Sequence, residues 1–305
     1  MLSSAFFNWK GLLLWSNHFY GLCAIILSIE SSLILLDTLP SLYVLALIYF
    51  STVAFYSYAY LKENSSGIYD ERSRWYNKFN RYLLIRQCFL VLAVIYIAII
   101  KLKIIEVFFS LNLIVQMVLL FSCLLSFLYY FPSTKIKQFK SIRKWGITKS
   151  LSIAWVWSIT CCLIPVLLTT QGINTNSFSA VHFLLYIIQL YVFILLLAIL
   201  FDIKDLARDK EELVHTIVLK YGVEHTIKKF ATPLMIVYLF ISCLIYYLFQ
   251  QTFLYLLSQI LLIVMVFFVI AVIKKVKAIH YNILYIDGLM LVKAILGIAY
   301  SSFYY

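Results

Sequence analysis

Three aspartates follow an apolar stretch of the chain and are spaced so that they share one side of a helix. Asp202, Asp205 and Asp209 stand at positions i, i+3 and i+7, which places them within about 60° of one another around a helix. Carboxylates this close together repel one another unless a cation lies among them, and Mg²⁺ is commonly held by carboxylates together with substrate phosphates. The stripe therefore indicates a metal and diphosphate site. The alternative is a solvated helix start whose acids pair with neighbouring bases.

The elements that position these aspartates are membrane-spanning helices. The chain of 305 residues is 64% hydrophobic and only 12% charged, whereas a soluble domain is about 25% charged. Apolar runs long enough to cross a bilayer predict nine spans, at 18–37, 42–61, 82–100, 104–130, 148–169, 181–201, 233–249, 252–273 and 283–302. We therefore expect an all-α, polytopic membrane helical bundle of about nine transmembrane helices, which forms a single integral-membrane domain over residues 1–305. The fourth run is longer than a perpendicular span requires, so it is expected to tilt or to begin as an interfacial helix.

The basic residues indicate which way the helices cross the membrane. About 21 of the 25 Lys and Arg residues fall at the N-terminus or in the connections after spans two, four, six and eight. Because cytoplasmic connections are enriched in bases, we expect the N-terminus and these connections to be cytoplasmic and the C-terminus to lie outside. The net charge of +12 then reflects topology, and no nucleic-acid partner is predicted.

The acidic residues are concentrated in two of these four connections. About nine of the 13 acids lie after span two or after span six, whereas the connections after spans four and eight contain none. A topology signal alone would not sort acids in this way, so these two connections are predicted to carry the chemistry. Glu30 and Asp287 instead fall inside predicted spans, where ionisable residues are rare and commonly functional.

The second acidic connection resembles the second aspartate motif of the UbiA superfamily of intramembrane prenyltransferases. The stretch from Asp202 to Asp209, followed by Thr216 and Gly222, matches five of the six fixed positions of that motif, and Leu213 stands where a glycine is usual. Two other segments are similar to family elements in order and spacing. These are Phe131-Pro132-Ser133-Thr134-Lys135, which is similar to Tyr-Pro-x-Thr-Lys, and the tryptophan-rich stretch that contains Trp155 and Trp157.

The first aspartate motif departs from the family pattern. The family places Asn-Asp-x2-Asp-x3-Asp after span two, and only Asp70 keeps its place, with Gly67 and Arg74 where acids are expected. Asn64 and Glu71 are nearby oxygen ligands that could substitute for the missing acids. The added Arg74 could supply positive charge that a missing metal ion would have given.

The resemblance implies a particular reaction at the cytoplasmic edge of a bacterial cytoplasmic membrane. An isoprenoid would be transferred from a prenyl diphosphate to an aromatic or lipid acceptor, with Mg²⁺ as cofactor and membrane lipid around the protein. The implied residues are, for catalysis and metal binding, Asp202, Asp205, Asp209 and Asp70, with Glu71 as a further metal ligand, and, for the diphosphate, Lys135, Arg72, Arg74 and Asn64. Aromatic faces would stabilise the carbocation, and the first candidates are Tyr129, Tyr130, Trp155 and Trp157.

Two other function classes stay open on the sequence. The depleted first motif is also compatible with a non-catalytic or altered UbiA-like protein that binds an isoprenoid or quinone without ionising it. The acids inside spans suggest a transporter, although the paired broken helices of repeated halves are not evident. Diphosphate release that depends on Asp202 would separate the enzyme from the binding protein.

Overall fold

The computed structural model describes residues 10–62, 71–129, 146–170, 179–211, 214–273 and 284–304, and every regular element within them is helical. After a π-helical segment, Lys10–Trp15, the helices are α1 (His18–Leu36), α2 (Leu42–Lys62), α3 (Glu71–Lys78), α4 (Asn80–Lys101), α5 (Ile104–Ser110), α6 (Leu113–Tyr129), α7 (Gly146–Thr169), α8 (Ala180–Lys204), α9 (Leu206–Glu211), α10 (Ile217–Tyr221), α11 (Val223–Leu248), α12 (Phe253–Ile273) and α13 (Leu284–Ser302). Among the described residues, seven of these helices are long and apolar enough to cross a membrane, and the apolar helical segments Leu42–Tyr58 and Leu113–Tyr129 occupy the second and fourth predicted spans. The predicted all-α membrane bundle is confirmed.

Two of the predicted spans differ from the observed helices. The fourth run is two helices, because Leu111 is extended and the Asn112 side chain accepts from the N–H of Val115 at 2.9 Å, which starts a new helix. The seventh begins at Val223, ten residues earlier than predicted. A π-helical stretch, Ile227–Ala231, precedes Pro233, and its wider turn accommodates a residue that has no N–H to donate.

Helix α8 forms the centre of the bundle. Its residues from Val192 to Leu200 are all buried, so its whole circumference is covered by neighbouring helices. It packs against α7 and α11, while α1 packs against α2 and α13. A helix that is apolar all round is expected at such a buried position.

The outer helices expose apolar side chains instead of burying them. On α4, Leu84, Ile85, Phe89 and Leu92 are all exposed, and the outward side of α6 is similar. Exposed apolar surface on this scale is typical of a surface covered by lipid. The protein is therefore an integral membrane protein.

Buried polar side chains connect helices that are distant in sequence. The Lys293 ammonium lies 2.7 Å from Glu30 Oε1, which ties α13 to α1. Gln189 donates to the hydroxyl of Ser242 at 2.7 Å, which ties α8 to α11. Buried polar groups in a membrane bundle pair with one another in this way, so Glu30, one of the acids predicted to be functional, has a structural partner.

Candidate functional site

The three aspartates of the stripe lie where α8 runs into α9. Helix α8 ends at Lys204. The N–H of the next residue, Asp205, still donates to the carbonyl of Phe201 at 3.1 Å, and the N–H of Asp209 donates to the carbonyl of Asp205 at 2.8 Å. This nearly continuous helical path keeps the residues on one side, as the i, i+3, i+7 spacing predicted. Asp202, Asp205 and Asp209 all line one cavity of about 120 Å³.

A lysine from another helix lies between two of these carboxylates. The Lys149 ammonium, at the start of α7, is 2.8 Å from Asp202 Oδ1 and 3.3 Å from Asp209 Oδ2. The hydroxyl of Ser150 donates to Asp202 Oδ2 at 3.0 Å. All four side chains are buried, so the charge of the aspartate pair is compensated inside the protein.

Burial also changes the acidity of Asp209. It raises the pKa of this carboxyl to about 6, an effect that the Lys149 ammonium opposes and that the neighbouring Asp202 and Asp205 strengthen. Asp209 is therefore still mainly ionised at neutral pH, and Lys149 has a charged partner there.

The third aspartate of the stripe has a different environment. The Lys204 ammonium lies 2.8 Å from Asp205 Oδ1 and 3.7 Å from the centre of the Phe201 ring. The alternative of pairing with a neighbouring base thus applies to Asp205, whereas Asp202 and Asp209 pair across the bundle with Lys149.

A fourth carboxyl group faces the same cavity from the last span. Asp287 sits at a turn in α13, is only 4% exposed and lines the cavity together with the three aspartates. Tyr20 lines the same cavity. Among the described lining residues, one ammonium group therefore faces four carboxyl groups.

Aromatic rings form the inner wall of the cavity. The rings of Tyr20 and Tyr56 stack with centroids 4.7 Å apart, and the indole N–H of Trp157 donates to the Tyr56 hydroxyl at 2.8 Å. A second, mainly apolar cavity of about 220 Å³ adjoins this wall and shares Tyr56, Tyr129, Ile153 and Trp157 with the first. The site is thus an acidic mouth that continues into an aromatic chamber.

The described part of the first acidic connection places its two arginines differently. Arg72 is buried on α3, donates to the Tyr60 hydroxyl at 3.0 Å and to the side-chain oxygen of Asn17, and lies over the Tyr60 ring. Arg74 and Glu71 are exposed on the same helix. Arg72 therefore faces the protein interior beside the mouth, and Arg74 faces outward.

Some predicted residues lie elsewhere or outside the described residues. Trp155 is not in the wall of the acidic mouth, because its indole N–H donates to Ser122 on α6 at 2.9 Å and its ring packs on Phe121. Tyr129 and Trp157 do line the mouth. The predictions that fall outside the described residues are those for Asp70, Asn64, Lys135 and Tyr130.

The sequence reasoning missed the residues that other helices bring to the site. Lys149 was counted only as one base of a cytoplasmic connection, and Ser150, Tyr20 and Tyr56 were not singled out. The available signal was the position of Lys149 inside the start of an apolar run, since a charge at that place needs a partner.

The donor chemistry of the mouth fits a hard divalent cation, because carboxylate oxygens are the preferred ligands of Mg²⁺. Within the described ranges, however, no three His, Cys, Asp or Glu side chains are grouped closely enough to hold a metal ion. The position between Asp202 and Asp209 is taken by the Lys149 ammonium. A metal ion bound to this pair must therefore compete with Lys149.

Together, fold and site define an integral membrane helical bundle with an acidic mouth above an aromatic chamber. Three solved structures of a UbiA homolog from Archaeoglobus fulgidus share this fold. The structure bound to GPP and Mg²⁺ has a TM-score of 0.61 at 12% identity, covering 95% of this chain and 99% of that chain. The one bound to DMAPP and Mg²⁺ has a TM-score of 0.59 at 11% identity, and the one bound to Cd²⁺ has 0.57 at 12%, each covering 95% of this chain and 98% of that chain.

At the level of sequence, no protein family model and no curated protein matches the chain. The structural likeness extends over nearly the whole length of both chains, and it establishes the UbiA fold for this protein. The fold implied by the aspartate motif is thereby confirmed.

Proposed function

We propose that the protein is a UbiA-like intramembrane prenyltransferase that transfers an isoprenoid from a prenyl diphosphate to an aromatic or lipid acceptor, assisted by Mg²⁺. The observation that carries the proposal is the acidic mouth that opens into an aromatic chamber. The mouth suits a diphosphate accompanied by cations, and the chamber suits an apolar tail. The solved neighbours with this fold bind GPP or DMAPP together with Mg²⁺, which supports the substrate class.

The charge of the mouth determines what has to accompany a diphosphate. Two ammonium groups, Lys149 and Lys204, face or pair with the four carboxyl groups that line the mouth, so an uncompensated anion would be repelled. In this proposal Asp202, Asp205 and Asp209, together with Asp70 and Glu71, would hold Mg²⁺, and the bound cation would supply positive charge to neutralise the leaving diphosphate. Further positive charge and hydrogen bonds come from the groups proposed to contact the diphosphate, namely Lys149, Lys135, Arg72, Arg74 and Asn64.

The aromatic wall is proposed to stabilise the isoprenoid cation that is left when the diphosphate departs. When the allylic C–O bond breaks, the positive charge left on the isoprenoid is stabilised by nearby ring faces. Tyr20, Tyr56 and Trp157 present such faces next to the carboxyl groups. The mainly apolar lining of the adjoining cavity excludes water, which would otherwise capture the cation.

The proposed orientation places this chemistry at the cytoplasmic edge of a bacterial membrane, with the N-terminus inside and the C-terminus outside. It is supported by the concentration of bases in the connections on the side of the mouth. Soluble prenyl diphosphate would then reach the mouth directly from the cytoplasm.

Purified protein incubated with labelled GPP or DMAPP and Mg²⁺ tests the proposal. We expect diphosphate release in the wild type and its abolition in Asp202→Ala, with Asp205→Asn as a second, more conservative variant. Glu106→Gln is the matched control, because Glu106 is an exposed carboxylate on α5 with 73% of its side chain accessible. Release that is equal in all four proteins would overturn the assignment.

Arg74 offers a second test, which concerns the depleted first motif. If this arginine replaces a missing metal charge, Arg74→Ala is expected to abolish prenyl diphosphate binding. Lys78→Ala removes another exposed base from the same helix α3 and should leave binding unchanged. If Arg74→Ala binds prenyl diphosphate with unchanged affinity, Arg74 does not contact the diphosphate.

A non-catalytic isoprenoid-binding protein is the second candidate function. The observation that favours it is the Lys149 ammonium, which compensates two carboxylates that the reaction would use for metal. Tight binding of GPP without any diphosphate release would support this candidate. A transporter is supported less, because Glu30 is paired with Lys293.

A further inference from the structure

Arg86 is a charged side chain inside the span formed by α4, and the proposed diphosphate site does not use it. It stands six residues after the start of the helix at Asn80, which is about 9 Å along the helix axis, and it is half-buried where α4 packs on α2. Charged residues inside spans are rare and usually have a partner of opposite charge. Among the described residues, no Asp or Glu lies within ion-pair distance of Arg86. Its charge is therefore suited to an anion that comes from outside the protein.

The guanidinium group of Arg86 is held in place on one side and reachable on the other. Its Nη2 donates to the hydroxyl of Ser57 on α2 at 2.8 Å. Ser57 is itself fixed, because it is fully buried and also accepts from Asn17 Nδ2 at 3.2 Å. Arg86 Nε is enclosed by protein, whereas Nη1 is neither enclosed nor hydrogen-bonded to any described residue. A guanidinium fixed in this way presents N–H donors to a phosphate in a defined geometry.

The side of α4 that carries Arg86 also exposes aromatic rings. Tyr82 and Phe89 stand four residues before and three residues after it, so both lie on the same side of the helix as Arg86. Their side chains are 44% and 69% exposed, respectively. Tyrosine is enriched at the level of the lipid headgroups, and Phe89 lies two turns further into the membrane. A small soluble anion would gain little from these rings, whereas the chains of a lipid would cover them. The ligand chemistry is thus an anionic group that carries apolar chains.

The surface around the start of α4 is strongly basic. From Glu71 to Arg86 the chain contains five bases and a single acid, and Arg74, Lys78 and Arg81 are exposed. Basic clusters next to a span attract anionic lipids, and basic pockets between spans bind their headgroups. A zwitterionic lipid is favoured less, because its cationic group is repelled by the same bases.

We propose that Arg86 binds the phosphate group of an anionic phospholipid at the edge where α4 packs on α2. The guanidinium donates to the lipid phosphate, the headgroup lies at the level of Tyr82, and an acyl chain covers Phe89. Arg86 is not among the residues that line the acidic mouth, so this lipid site is separate from the proposed diphosphate site. The inference goes beyond prenyl transfer and does not depend on it.

The experiment titrates detergent-solubilised protein with two lipids that have the same acyl chains, dioleoyl phosphatidylglycerol and dioleoyl phosphatidylcholine, and counts bound lipid by native mass spectrometry. We expect the wild type to bind one phosphatidylglycerol molecule saturably and at least about ten-fold more tightly than phosphatidylcholine. Arg86→Gln keeps a donor for Ser57 but removes the charge, so this preference should be lost. Lys101→Gln is the matched control, because Lys101 is an exposed base at the opposite end of the same helix, and it should retain the preference.

Two further variants separate binding of the lipid from packing of the helices. Arg86→Lys keeps the positive charge and should retain a preference for phosphatidylglycerol. Ser57→Ala removes the acceptor that ties α4 to α2 and should lower the thermal stability, yet it keeps the arginine and therefore the preference. A merely structural role of Arg86 would change stability equally in both lipids and would not alter the preference between them.

Three results would overturn the assignment of Arg86. The first is an equal affinity of the wild type for the two lipids, which decides the question even if Arg86→Gln does not fold. The second is the same preference for phosphatidylglycerol in Arg86→Gln as in the wild type. The third is displacement of phosphatidylglycerol by millimolar inorganic phosphate, since that would identify a site for a soluble anion instead of a lipid.

Discussion

Replacing Lys149 with methionine removes the positive charge between two buried carboxylates and keeps most of the side chain's length. The Lys149 ammonium lies 2.8 Å from Asp202 Oδ1 and 3.3 Å from Asp209 Oδ2, and less than a tenth of each of the three side chains is exposed. Breaking a buried ion pair by removing one partner typically costs about 3–5 kcal/mol. Because Ser150 still donates to Asp202, we expect the lower end of that range, about 3 kcal/mol.

A divalent cation should reverse this loss, because methionine no longer competes for the carboxylate oxygens. At a concentration about 100 times its Kd, a ligand that binds only the folded state stabilises it by about 2.7 kcal/mol. We therefore expect Mg²⁺ or Mn²⁺ to restore most of the stability of Lys149→Met and to stabilise the wild type much less.

Thermal unfolding in detergent, followed by tryptophan fluorescence, measures both effects. The pH should lie above the pKa of Asp209, which burial raises to about 6, so that both carboxylates are ionised. Lys103→Met is the matched control, since Lys103 and Glu106 form an exposed pair 3.7 Å apart and such pairs contribute about 0–1 kcal/mol. An unchanged Tm in Lys149→Met, or equal metal stabilisation in variant and wild type, would refute the reasoning.

Three further substitutions test the packing around the site, each read as a change in thermal stability. Gly297→Ala would place a Cβ atom against the carboxylate of Glu30, so it should destabilise the fold by about 1–3 kcal/mol. Gly288→Ala meets nothing within 4 Å and serves as its control. Lys293→Met leaves Glu30 buried without its ion-pair partner and should cost about 3–5 kcal/mol. Trp157→Phe removes the indole donor of a 2.8 Å hydrogen bond, with an expected loss of about 1 kcal/mol.

Each of these expectations can fail separately. Equal stability of the two glycine variants would show that α1 and α13 are less closely packed than described. A Tm equal to that of the wild type in Lys293→Met would mean that another group compensates the buried charge of Glu30. An unchanged Tm in Trp157→Phe would mean that the hydrogen bond from Trp157 to the Tyr56 hydroxyl does not contribute to stability.

The approximate positions of the apolar helices could be predicted from the sequence, because a membrane span requires about 20 consecutive apolar residues, which is a local property of the chain. Two of the predicted bounds are wrong. Asn112 starts a new helix inside the fourth run, and the seventh helix begins at Val223 instead of residue 233. The aspartate stripe was predictable for the same reason, since its spacing repeats with the helix turn.

Only the tertiary structure decided what faces that stripe. Lys149 and Asp209 are 60 residues apart, and Glu30 and Lys293 are 263 apart, so neither pair has a local signature. A lysine in a sequence adds the same charge to a connection whether it points to solvent or to a carboxylate. Which of these occurs depends on how the helices pack, and that packing also brings Asp287 to the acidic mouth.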